Sequence, residues 1–254
     1  MLYLNQAQTC LLKGFDLQRF FSITLLAAAV VSCSSSSQLD RLARDLEHYP
    51  EYSIILEDMK EEGNFFDDYY HRYKLIRAER NGAPDSLIYK SELTDWLRVH
   101  QREYEKYDQY LGMVIASKTL ENEQSFAQHP PGYQYVGDPR YGAWRTDESG
   151  NSFWEFYGKY ALMSSLFGMM TRPVYQNDWE GYRDSRTRGR PYFGRNREFG
   201  TNGTQTKETH KNFFERRLER DRLSKERFSQ KVQNRVRRSN MSKVRSRSSR
   251  GFGK

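Results

Sequence analysis

The chain has 254 residues, and its 41 Lys+Arg against 33 Asp+Glu leave a formal charge of +8. That net figure hides a division: residues 34–171 hold 15 Lys+Arg against 23 Asp+Glu, or −8, and residues 172–254 hold 24 against 9, or +15. An acidic globular part carrying a basic tail is expected, and two cysteines, Cys10 and Cys33, exclude a disulfide framework and a cysteine metal site.

The first element is an export-type leader. Phe20 to Val31 carry no charge, Lys13 and Arg19 precede them, and Asp16 is the only acid there. A basic stretch, a short apolar run and then small residues make a signal peptide over residues 1–32. The run is too short for a bilayer span, which needs about 20 apolar residues. Cys33 closes the stretch Leu25 to Ser32 and is followed by Ser34-Ser35-Ser36-Ser37. A cysteine in that place resembles the lipobox of bacterial lipoproteins. The resemblance implies cleavage before Cys33, a thioether diacylglycerol on its sulfur and N-acylation of the new terminus. Three acyl chains anchor stably, where one is marginal. Residues 33–39 then form a lipidated, serine-rich tether, and Ser34, where an aspartate would signal inner-membrane retention, implies the outer membrane.

From Gln38 to Tyr49, Leu42, Leu46 and Tyr49 recur among charges at helical spacing, and Pro50 stops the helix. Glu51 to Glu57 is apolar and β-branched, and Glu61 to Asn64 reads as a turn. Tyr69 to Arg77 alternates Tyr69, His71, Tyr73 and Leu75 against Tyr70, Arg72, Lys74 and Ile76, the period of a strand. A turn at Asn81 to Asp85, a partly helical stretch over 91–110 and a buried strand at Leu111 to Ala116 complete a small α+β domain, residues 40–125.

Residues 126–205 interleave Gly, Pro and aromatics, with 15 aromatics between 133 and 193. Turn residues at this density predict an irregular segment that lays its rings on another surface. Within it, Phe153, Phe156, Tyr157, Tyr160, Ser164 and Phe167 follow helical spacing, so an apolar helix is expected over 153–170, interfacial or buried rather than spanning. Residues 206–254 form a basic tail with 17 Lys+Arg against 5 Asp+Glu. It is helical or disordered, with a thin apolar line of Phe214, Leu218, Phe228, Val232 and Val236 and no heptads.

Chemistry-bearing motifs are sparse. The histidines at 48, 71, 100, 129 and 210 show no ligand spacing, and Glu57-Asp58 with Glu61-Glu62 lacks the oxygen spacing of a calcium loop and reads as a solvated acidic turn. No nucleophile elbow, Walker loop or dinucleotide fingerprint occurs, which argues against catalysis. No catalytic, cofactor-binding or metal residue is assigned; the one site residue is Cys33, for lipid. Cys33, Ser152-Phe153-Trp154, Gly158-Lys159-Tyr160, Leu162 to Met170 and the terminal Ser248 to Gly253 together resemble bacterial lipoproteins of the YgiB-like kind. That resemblance implies an envelope location and no particular activity.

The expectation is a lipid-anchored envelope protein, a structural or interaction module whose tail contacts anionic lipid or lipopolysaccharide, with an unidentified protein partner. Its tail also resembles Arg/Ser and Arg/Gly nucleic-acid arms. Two other classes follow if parts of this reading fail: a cytoplasmic nucleic-acid-associated protein, or an envelope enzyme using Glu57, Asp58, His71 and the tyrosines around them.

Overall fold

The computed structural model describes residues 36–63, 67–82, 87–121, 123–168 and 172–248. The leader, Cys33, Ser34 and Ser35 lie outside the described residues, as do Met169, Met170 and residues 249–254. Residues 37–254 form one compact unit.

The unit mixes helices with an antiparallel sheet. Strands β1 (Tyr52–Glu62), β2 (Asp68–Arg80), β3 (Leu87–Leu93), β5 (Val114–Lys118) and β6 (Gln124–Ser125) lie in the order β3-β2-β1-β5-β6, and β4 (Leu97–Val99) pairs with β2 beyond the end of β3. The alternation of β2 holds in part: His71, Tyr73 and Leu75 are buried and Tyr70, Arg72 and Lys74 are not, but Tyr69 is only half-buried and Ile76, on the opposite face, is buried in the second core. Tyr52 to Leu56 of β1 are buried without alternation, as befits a central strand covered on both faces. A bulge between Leu56 and Asp58 shifts the register of its outer half. The strand expected from Leu111 starts instead at Val114, because Gly112, at φ +75°, turns the chain there.

One face of the sheet packs on α1 (Gln38–Asp45) and α2 (Gln101–Tyr107). Leu39, Ala43, Tyr104 and Tyr107 meet Tyr52, Ile54, Leu56, Met59 and Tyr73 in the main core. The serine run ends in a helix cap rather than extending to residue 39. The Ser37 hydroxyl accepts from the Asp40 N–H at 3.0 Å, and the Asp40 carboxylate accepts from the Ser37 N–H at 3.3 Å.

The opposite face is covered by the aromatic segment. Tyr135, Tyr141, Tyr160, Met163 and Phe167 pack on Ile55, Ile76, Ala78 and Tyr89. The composition change near residue 125 therefore marks a change of layer within one unit. The segment is also more regular than its turn residues suggest: β7 (Gly142–Thr146) and β8 (Ser152–Phe156) form a hairpin, followed by α3 (Ala161–Leu166) and α4 (Gln176–Thr187).

Over the described residues 153–168, the single apolar helix expected over 153–170 is not formed. Phe153 to Phe156 belong to β8, residues 158–160 form a 3-10 turn, and only Ala161–Leu166 are α-helical. Rings at 153, 154 and 156 suit either period. The cross-strand pair Trp144–Trp154, with centroids 5.2 Å apart, decides for the strand. Among the described residues no helix is long and apolar enough to cross a membrane. The basic tail is helical: α5 (Thr204–Thr209) leads into α6 (Lys211–Ser248).

Candidate functional site

Helix α6 is the most distinctive surface feature. At 1.5 Å per residue its 38 residues extend about 57 Å. Its root is held to the body by apolar contact: Phe213 is buried in the main core and Phe214 packs against it. Charge adds to this. Arg216 lies 2.5 Å from Asp58, Arg220 lies 2.8 Å from Glu61, and His210 Nε2, just ahead of the helix, lies 3.8 Å from Glu57. The acids of β1, legible in the sequence only as a solvated turn, thus dock the helix root. Four residues separate the two arginines, one helical turn, which is why both meet the same strand.

Beyond the root, all 25 residues from Glu215 to Ser239 are exposed. This stretch carries ten Lys+Arg, and its four acids all lie at or before Glu226. Glu219 and Glu226 each pair with Arg222, at 2.7 and 3.7 Å. From Arg227 to Lys254 there are ten Lys+Arg and no acid.

Among the buried polar residues of the body, two centres stand out, at Glu51 and at His71. Glu51, just before β1, has no exposed surface. Its carboxylate accepts from the Tyr89 hydroxyl at 2.5 Å, from the Tyr141 hydroxyl and from the Leu120 N–H at 3.2 Å. Burial raises its pKa above the ordinary carboxylate value, although all three donors pull the other way. Nearby, Gln134 Nε2 donates to Ser53 Oγ at 2.5 Å. A cleft of about 260 Å³ opens above Glu51, with Arg140, Arg183, Arg186, Glu121, Glu123 and Trp179 among its walls. Its charges are largely matched: Arg186 pairs with Glu123 at 2.9 Å and Arg140 with Asp138 at 2.5 Å. A carboxylate already engaged by two phenols and an amide, with no exposed atom, is a structural pin. It joins β3 to the aromatic layer.

His71 is the second centre. Its Nδ1 lies 2.9 Å from the Tyr73 hydroxyl, its ring stacks on Tyr104 at 5.4 Å, and Nε2 has no hydrogen-bond partner. Burial lowers its pKa to about 3, so it is neutral at physiological pH. Asp58 and Glu57 face the tail instead, at Arg216 and His210. The three residues considered for an enzyme are therefore not brought into one hydrogen-bonded set. His129 is buried as well, lowered to about 4 by that burial, and its Nδ1 bonds the Pro130 carbonyl at 2.9 Å. Among the described residues no three His, Cys, Asp or Glu side chains are grouped to hold a metal ion.

No protein-family model, curated protein or solved structure matches this chain.

Proposed function

We propose that the protein is a lipid-anchored interaction module of the bacterial cell envelope, favouring the outer membrane, and that its α+β body presents helix α6 to an anionic surface. In this reading residues 1–32 are a cleaved signal peptide, Cys33 carries the lipid, and the serines after it are the tether. The observation that carries the surface contact is the run of exposed residues from Glu215 to Ser239, with ten cations among them. Each Lys or Arg near an anionic membrane contributes about 1 kcal/mol. Phospholipid or lipopolysaccharide phosphates are the anions that an envelope offers.

Two measurements test this. Metabolic labelling with a fatty-acid analogue should mark the wild type and not Cys33→Ala; label that persists in the variant overturns the anchor. Binding to anionic vesicles should weaken steeply between low and high salt and be lost when residues 216–254 are removed. Binding indifferent to salt overturns the surface contact. The same cations would hold nucleic acid in solution, so the fatty-acid label also separates this reading from a cytoplasmic nucleic-acid-associated one.

A further inference from the structure

Helix α6 changes character at Glu226. On its root side, acids alternate with bases and the body supplies ion pairs. On its far side, Arg227 to Ser248 hold eight Lys+Arg and no acid. In that cationic half, Phe228, Val232 and Val236 recur at i, i+4 and i+8. At about 100° per residue they fall within an arc of about 80°. They are 69%, 45% and 54% exposed, and Lys231, Arg235 and Ser239 line the same shallow furrow. Among the described residues, no element of the body covers Phe228, Val232 or Val236.

We infer that this stripe is an insertion face: Phe228, Val232 and Val236 enter the boundary between headgroups and acyl chains of an anionic bilayer, with the helix lying in the interface. Lys231 and Arg235 border the stripe along one side and extend their charged ends back to the phosphates, the arrangement of basic amphipathic helices at membranes. The inference rests on the reading of α6 as a membrane-contacting arm, and adds which side chains leave water.

The charge pattern selects this occupant. A second copy of the arm would set eight cations against eight with no acid to offset them. The acidic edge of β1 is already engaged by Arg216 and Arg220. Nucleic acid offers phosphates but no apolar phase for Phe228. An anionic bilayer offers both. It also supplies what the arm lacks in water, an apolar surface along one side, without which an isolated helix depends on propensity and local ion pairs.

The test uses the full chain with Cys10→Ser and Cys33→Ser, carrying one cysteine at position 228 or 230 labelled with a polarity-sensitive fluorophore. Position 230 lies about 200° around the helix from 228, and Phe228 and Gln230 are both exposed, so neither substitution disturbs a packed site. With anionic vesicles, emission from position 228 should shift to the blue and be quenched by acyl-chain-labelled lipid. Position 230 should show neither effect, and neutral vesicles should leave both positions in water. If the chain binds anionic vesicles in a salt-dependent way while position 228 stays water-like, insertion is overturned and the surface contact stands. If both positions shift equally, the assignment of the face is overturned. If the arm fails to meet anionic vesicles at all, both readings fall.

Discussion

The body and the arm of this molecule are stabilised by opposite means. In the body, rings and hydroxyls are buried together: Tyr73, Tyr135 and Tyr141 are almost wholly enclosed, and Tyr141 bonds Glu51. In the arm, 25 consecutive residues stay in water, with apolar side chains as large as Phe228 among them. A tyrosine-rich core can enclose a carboxylate because each ring brings both apolar area and a donor. A helix with no packed face has only local interactions and must find its partner elsewhere. Substitutions in the two regions should therefore separate cleanly, stability from binding.

The largest contrast is between two rings. Tyr135→Ala removes a side chain 2% exposed that meets Tyr89, Tyr141 and Phe167, and should cost about 3–5 kcal/mol of unfolding free energy in denaturant titration. Phe228→Ala should change it by no more than about 0.5 kcal/mol. A small effect at Tyr135 would mean that the aromatic layer is dispensable to the fold. Next in size is Gly137→Ala. Gly137 has φ +84°, and a Cβ there would come within 2.2 Å of the Trp179 ring. Strain and overpacking together should cost about 1–3 kcal/mol, read from the same titration.

A third experiment uses the buried carboxylate. Since Glu51 has a folded pKa above its ordinary value of 4.5, the folded state holds this proton more tightly than the unfolded chain does. Its contribution to stability is complete below the unfolded pKa and is lost as pH rises through the folded one. Glu51→Gln keeps the shape and carries no charge. Relative to wild type, its thermal midpoint should rise as pH goes from 4 to 8. A midpoint difference that moves the other way would mean that the phenols stabilise the ionised form outright. The smallest expected effect is at the root of the arm. A double-mutant cycle on Asp58→Ala and Arg216→Ala should return a coupling of about 0.2–1 kcal/mol, since Arg216 is 44% exposed. A much larger coupling would show that charge, rather than Phe213, fixes the helix to the body.

What could be read from the chain depended on how local the signal was. Strand β2 was legible because Tyr69, His71, Tyr73 and Leu75 alternate within nine residues. The apolar line of α6 was legible as a line, while the tail's polar composition left helix and disorder both open. The bulge in β1 leaves no residue signature. In β8 the rings at 153, 154 and 156 satisfied both periods, and the partner that decides, Trp144, lies on another strand. The polar sequence of α4 hides a helix whose buried contact is Tyr182. The pin at Glu51 was out of reach, because its two phenols lie 38 and 90 residues away. The acids at Asp58 and Glu61 looked solvated because their partners are beyond residue 215. Ser37 and Asp40, by contrast, form a capping box that their spacing alone could have revealed.

The exposure of the arm also places the molecule's net positive charge on a detachable piece. Residues 37–254 hold 39 Lys+Arg against 32 Asp+Glu, or +7, whereas residues 37–216 alone hold 25 against 29, or −4. A trypsin-like protease meets many cleavage sites between Arg216 and Arg238, all of them at exposed residues. One cut after Arg216 would reverse the sign of the body it leaves behind. The intact chain should be retained by a cation exchanger at neutral pH, and the trimmed body by an anion exchanger.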